Sequence, residues 1–275
     1  MSVPDASAGA EGRGTRGHAG VTVRFYEELN LFLPPAVRRR PFDVPLPEGG
    51  TAKAVIESLG VPHTEVDLVL VNGESVGFSH RLSLGDRMSV YPVFESWDIG
   101  GLSRVRAAPL RVTRFQADVH LGRLARLLRM VGFDTAWGRE QDDAAIVAAA
   151  LRERRIVLSR DRGLLKRRLV THGYLVRSLE PREQLGEVLG RFDLAAQVRL
   201  FSRCMDCNAC LARVSRISVL DDLPPVVAET CSEFSRCVGC GKVYWRGTHW
   251  ESMKRLADEV LHRLAGAELR RMFTG

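Results

Sequence analysis

Four of the six cysteines fall in two pairs, Cys204-Met-Asp-Cys207 and Cys237-Val-Gly-Cys240. A CxxC spacing places two thiolates on one turn, and two such turns complete the tetrahedral shell favoured by Zn²⁺. Four thiolates leave no open position for water, so the set predicts a structural zinc. A redox pair is the competing chemistry for such spacing, and chance the trivial one. Cys210 and Cys231 are extra to the pairs. They are expected as buried thiols, with service as alternative ligands the other reading.

With zinc assigned to the scaffold, reaction chemistry must come from other residues. Acids recur after apolar runs in the middle of the chain: Asp118, Asp142 and Asp143, Asp161, and Glu180. In open α/β sheets, sites form beyond the carboxyl ends of the strands. Carboxylates gathered there repel one another unless a cation lies between them, and oxygen donors with open positions suit Mg²⁺ or Mn²⁺. Such ions activate water and steady the leaving oxygen of a phosphodiester. Each acid also has a structural role open to it. Asp142 or Asp143 can cap the helix that follows, Asp161 the next one, and Glu180 precedes Pro181 at a helix start. Asp118 is the least easily explained by capping. Asp134 is expected to face solvent or make a local bond.

Cations surround these acids. Arg123, Arg126 and Arg129 recur at spacing three beside the apolar stripe Leu121, Leu124, Leu128 and Val131. The stripe is core; the arginines form either a solvated face or a phosphate track. Arg160, Arg162 and Lys166 bracket Asp161 and favour phosphate. Further on, Lys242, Tyr244, Trp245, Arg246, His249 and Trp250 interleave base with aromatic. Aromatics stack on unpaired bases and cations hold phosphate, while Tyr244 and Trp250 serve equally well as packing anchors.

The elements that must position these groups fall into successive units. Residues 1–20 are rich in Gly, Ala and Ser and lack an apolar signal core, so they read as a disordered tail. Residues 21–95 run strand, strand, helix, strand, strand, with Thr51 as N-cap, Gly60 as helix stop and Asn72-Gly73 as a hairpin turn. That is the order of a β-grasp fold. Residues 96–110, with Gly100-Gly101 and Pro109, form a linker. From 111 to 198 strands and helices alternate. Strands are expected at Val112–Ala117, Phe133–Trp137, Ile156–Ser159 and Tyr174–Arg177, which predicts a parallel sheet covered by helices. The zinc unit spans 199–250, and a C-terminal helix spans 251–275.

The 275 residues carry a net charge of +7, which favours an anionic partner such as nucleic acid. No apolar run approaches a membrane span, and the absence of a signal segment predicts a reducing, cytoplasmic setting.

The ordered blocks resemble a known family. Phe115-Gln-Ala-Asp-Val-His-Leu-Gly-Arg through Phe133-Asp-Thr, Ile156-Val-Leu-Ser-Arg-Asp-Arg-Gly, Pro181-Arg-Glu-Gln-Leu and both cysteine blocks are similar to the Mut-seven C-terminal ribonuclease domain. The N-terminal unit resembles the ubiquitin-like domain often joined to it, and also the sulfur carriers. The matching residues are Val23-Arg-Phe-Tyr26, Gly60-Val-Pro62, Val71-Asn-Gly73 and Gly85-Asp86. The resemblance implies a PIN-like nuclease fold with an appended zinc ribbon, and metal-dependent RNA cleavage. It implies Asp118 and Asp161 as ligands of Mg²⁺ or Mn²⁺, with Asp142 or Asp143 as the third acid. It leaves RNA as the partner of Arg123, Arg126, Arg160, Arg162, Lys166, Trp245 and His249, and a protein as a further partner of the β-grasp unit. A noncatalytic RNA-binding or ribosome-associated adaptor is the competing function. A sulfur-carrier role fits less well, because Gly100-Gly101 is internal and offers no free carboxylate.

Overall fold

The computed structural model describes residues 20–46, 50–92, 104–105 and 113–274, the last eight of these by backbone alone. The tail up to residue 19, Gly100-Gly101 and all of the linker but Arg104 and Val105 lie outside the described residues.

The first unit is built from β1 (Gly20–Phe25), β2 (Phe42–Pro45), α1 (Ala52–Ser58), β3 (Val66–Val71), β4 (Glu74–Ser75) and β5 (Arg87–Pro92). Its sheet order is β2-β1-β5-β3-β4, with β1 and β5 parallel and the other neighbours antiparallel. Alternation along β1 turns Val21, Val23 and Phe25 inward, against Val55 and Ile56 of α1. The Thr51 hydroxyl caps α1 by accepting from the Ala54 N–H at 3.2 Å. Asn72 and Gly73 both take positive φ (52° and 92°), the requirement of a tight hairpin turn. One helix cupped by a mixed sheet is the β-grasp arrangement.

The second unit alternates β6 (Phe115–Ala117), α2 (Gly122–Met130), β7 (Thr135–Ala136), α3 (Asp143–Glu153), β8 (Ile156–Ser159), α4 (Arg162–Lys166), β9 (Gly173–Leu175) and α5 (Pro181–Arg191). All pairings are parallel, in the order β7-β6-β8-β9. β7 and β9 pair over fewer residues than the sequence predicts, and Val112, at the start of the first expected strand, lies outside the described residues.

Both faces of this sheet are buried. Ile156, Leu158, Tyr174 and Val176 face α2 and α5, while Val157 and Leu175 point to the opposite side. On that side lie Ile146 of α3 and Leu164 and Leu165 of α4, in one continuous cluster with the β-grasp core. The two units therefore share a core rather than touching through a polar seam. The contact is centred on a 3-10 turn, His63–Glu65. Glu65 is fully buried and accepts from the Leu175 N–H at 2.6 Å. His63 meets the Val170 carbonyl at 2.8 Å.

The third unit pairs β10 (Leu211–Val214), β11 (Phe234–Cys237) and β12 (Val243–Trp245) as an antiparallel sheet, with α6 (Pro225–Thr230) inserted between β10 and β11. The final helix, α7 (Thr248–Thr274), begins earlier than expected, so His249 and Trp250 lie in its first turn. It packs on α5, burying Ala257 and Val260. Among the described residues, no helix is long and apolar enough to cross a membrane.

Candidate active-site groove and metal centre

Cys204, Cys207, Cys237 and Cys240 bring their sulfurs within 4.8 Å of one another. Cys207 and Cys237 lie 3.2 Å apart and Cys204 and Cys240 3.7 Å. A tetrahedron with Zn–S bonds of about 2.3 Å has edges of roughly 3.8 Å, so the set matches a zinc shell in donor type and size. Backbone N–H groups turn inward to support the thiolates: Gly239 and Cys240 both donate to Cys237 Sγ at 3.4 Å. Gly239 is required there, since a Cβ would lie 2.8 Å from that of Ala209. Burial opposes ionisation of Cys204, but the Cys207 N–H and the Tyr244 hydroxyl outweigh it and hold the thiol at about 6. Cys207, despite the Ala209 N–H, is pushed up to about 12 by burial and its cysteine neighbours. Thiols this close cannot all ionise without a cation among them.

Cys210 and Cys231 correct the expectation of buried thiols. Cys210 is exposed beside the knuckle, and half-buried Cys231 donates to the Arg246 carbonyl at 3.2 Å. Neither belongs to the four-sulfur set.

Two residues that looked peripheral in the sequence fasten this centre to the parallel sheet. Arg129, at the same spacing as Arg123 and Arg126, is 3 % exposed. It donates to the carbonyls of Thr135 (2.8 Å), Met205 (3.0 Å) and Asp206 (2.8 Å), the last two inside the first CxxC. Asp134 accepts from Arg155 at 2.6 Å and from Asn208 at 2.7 Å, instead of facing solvent. Burial raises its pKa, but these donors outweigh it and hold the carboxyl below its usual range.

The acids at the sheet's carboxyl edge divide. Asp118 follows β6 directly, is 5 % exposed, and makes no side-chain cap bond. Its Oδ2 accepts from Ser159 Oγ at 2.6 Å, and Ser159 Oγ accepts from the Asp161 N–H at 2.8 Å. Ser159 thus ties the ends of β6 and β8 together. Asp161 is exposed and caps α4 through the Gly163 N–H at 2.7 Å. Asp142 caps α3 through the Ala145 N–H at 2.7 Å, and Asp143 pairs with Arg167 at 2.7 Å. Among the described residues, only the cysteines bring three or more such ligands within range of one ion. Mg²⁺, however, commonly holds one or two carboxylates and completes its shell with water and phosphate oxygens, a demand that Asp118 and Asp161 fit in donor type. Sequence reasoning missed Ser159 and Gln116. Gln116 is fully buried, and its Oε1 accepts no hydrogen bond among the described residues. A polar residue inside the apolar run of β6 was the available signal.

A groove of about 560 Å³ is lined by Arg160, the chain neighbour of Asp161, and by His120, Arg123, Arg126, Trp137, Arg139 and Glu180 among others; the four aspartates do not line it. A second cleft of about 1110 Å³ follows the ribbon and the start of α7, and includes Arg126, Lys242, Trp245 and His249. Arg162 and Lys166, expected on an RNA track, turn toward the β-grasp unit. Arg162 lies over the Phe32 ring at 5.2 Å, and Lys166 donates to the Glu57 carbonyl at 2.7 Å. Tyr244 and Trp250 are packing anchors: the Tyr244 hydroxyl meets Cys204 Sγ at 3.1 Å, and Trp250 packs on Phe201 with centroids 5.1 Å apart. Trp245 is half-buried and lines the ribbon cleft.

Comparison with family models gives two matches. One described as Mut7-C RNAse domain covers residues 113–257, and one described as Mut7-C ubiquitin covers residues 18–98. No curated protein and no solved structure matches the chain.

Proposed function

The chain belongs to the Mut7-C RNAse domain family, and from that premise we propose that it is a metal-dependent ribonuclease acting at the carboxyl edge of the parallel sheet. One observation carries the reading: buried Asp118 is oriented by Ser159 toward the Asp161 strand end and is not used as a helix cap. Asp118 and Asp161 would hold Mg²⁺ or Mn²⁺, with Asp142 or Asp143 read as the third acid. Bound there, the ion supplies a more acidic water and takes up charge on the leaving oxygen. The protein's own part is to fix geometry. Ser159 holds one Asp118 oxygen in place, and the sheet fixes the spacing of the two strand ends. Arg123 and Arg160 line the adjoining groove and place positive charge where a phosphodiester would lie. The four cysteines are read as a structural zinc site that holds the ribbon in shape.

Asp118→Asn tests the proposal. Cleavage of RNA in Mg²⁺ or Mn²⁺ should fall on the order of 100-fold or more, the usual cost of removing a preorganised charge at a reacting centre. Asp161→Asn should behave alike. Cleavage at wild-type rates in both variants removes the site assignment. RNA binding by a wild-type protein that cuts in neither metal leaves the noncatalytic adaptor.

A further inference from the structure

Arg126 lines the carboxyl-edge groove, the ribbon cleft and a third cleft of about 1010 Å³ between α2, α5 and α7. The three clefts therefore adjoin at the Arg126 side chain. At the junction Asp206, from the first cysteine knuckle, lies 3.4 Å from Arg126 and accepts from Lys242 at 2.5 Å. The knuckle thus pairs with one cation of the nuclease unit and one of the ribbon. Arg129, buried beneath it, fixes the same knuckle to the sheet.

We infer that the ribbon cleft and the carboxyl-edge groove are one continuous track for single-stranded RNA, joined at Arg126, so that the preferred substrate is a strand long enough to occupy both. The inference rests on the ribonuclease reading for its choice of RNA. The single strand follows from the lining. Arg123, Arg126 and Arg160 at one end and Lys242 at the other suit a phosphate backbone. Tyr244, Trp245 and Trp250 all line the ribbon cleft; Tyr244 is tied to Cys204 and Trp250 packs on Phe201, and Trp245 supplies the aromatic plane taken as the stacking surface. Stacking on such a plane needs an unpaired base, since bases in a duplex already stack on each other. Two linked subsites on one strand also reinforce each other, because the second engages at high effective concentration.

The experiment measures binding by fluorescence polarisation, using full-length Asp118→Asn protein without added divalent metal. Labelled uridine oligomers range from about 4 to about 16 nucleotides, the span of typical single-strand sites. A blunt RNA duplex is the comparison. Affinity should climb with length and then level, and the duplex should bind at least about tenfold more weakly than the longest oligomer. Trp245→Ala should weaken the longest oligomers roughly 5- to 140-fold, the equivalent of one lost stack, and leave the shortest unchanged. Trp245→Phe, which keeps an aromatic plane, should recover most of that loss. Equal affinity for duplex and single strand overturns the track, as does a Trp245→Ala effect that is absent or equal at all lengths. Length-dependent binding without cleavage by wild-type protein would remove the ribonuclease and keep the track. Cleavage with length-independent binding would do the reverse.

Discussion

The nuclease sheet meets its two neighbours by opposite means. Toward the β-grasp unit it shares an apolar core, with Val157, Leu164, Leu165 and Leu175 continuous with Val66 and Val69. Toward the ribbon it offers charge: Arg129 reaches the knuckle carbonyls, and Asp134 gathers Arg155 and Asn208. The first seam is chiefly apolar, with the hydrogen bonds of Glu65, His63 and Lys166 set within it, and buries side chains of both partners at once. The second is directional, and it fixes the cysteine knuckle relative to the groove that holds Arg126 and Arg160. On this division, stability should reside mainly in the first seam and alignment of the candidate site in the second.

Removing the β-grasp unit should produce the largest effect. Deleting residues 1–100 removes the β-grasp half of the cluster that buries Leu164, Leu165 and Leu175 where α4 and β9 meet the His63–Glu65 turn. At about 1.5–3 kcal/mol for each large apolar side chain, the loss is on the order of 10 kcal/mol, comparable to the whole stability of a domain. The truncated protein should lack a cooperative thermal transition in far-ultraviolet circular dichroism. A melting temperature within a few degrees of the intact chain would show that the shared core is not needed, and would end the contrast between the seams.

Zinc removal comes next and should act on the other seam alone. Structural zinc in small units contributes apparent binding energies of roughly 10–16 kcal/mol, but these are confined to the unit that holds the metal. Cys204→Ser should lose bound metal and the β10–β12 sheet while the parallel sheet and β-grasp unit keep their melting transition. Metal analysis and circular dichroism test both halves. Collapse of the whole chain would mean that the two seams are energetically one.

Much of this was legible in the residues. The cysteine spacing, Thr51 at its cap, the Asn72-Gly73 turn and the β-grasp strand order each carry a local signal that tertiary structure does not override. The run Ile156-Val-Leu-Ser159 also announced a strand buried on both faces. It did not say that a separate unit supplies half of that cover. Arg129 could not be told from Arg123 and Arg126, since spacing of three places all of them near one helix face and only the docked knuckle selects one for burial. Arg162 and Lys166 flank Asp161 in sequence, yet α4 points them at Phe32 and Glu57 from the other unit. The chemistry of the strand ends was readable; the partners of the exposed cations were not.

The smallest expected effect distinguishes the seams by the sign of their pH dependence. Glu65, in the apolar seam, has its pKa raised chiefly by burial, against the pull of Arg191, the Leu175 N–H and Arg177. The folded chain therefore binds a proton there more readily than the unfolded chain. Its contribution is fully present below the ordinary glutamate range near 4.3 and is lost as pH rises through the elevated folded value. Asp134, in the polar seam, is lowered: burial pushes it up, but Arg155 and Asn208 prevail. Its contribution is present above the ordinary aspartate range near 3.9 and is lost as pH falls through the depressed folded value. Glu65→Gln keeps an oxygen to accept from the Leu175 N–H and cannot ionise. It should gain stability relative to wild type at pH 8, with the gain fading toward pH 5. Asp134→Asn should lose roughly 1.5–3 kcal/mol at pH 7, the worth of a hydrogen bond to a charged group, with the loss shrinking below about pH 4. Chemical denaturation across this range, with metal content held constant, yields both slopes. Slopes of the same sign for the two variants would show that the seams do not differ in the way their side chains imply.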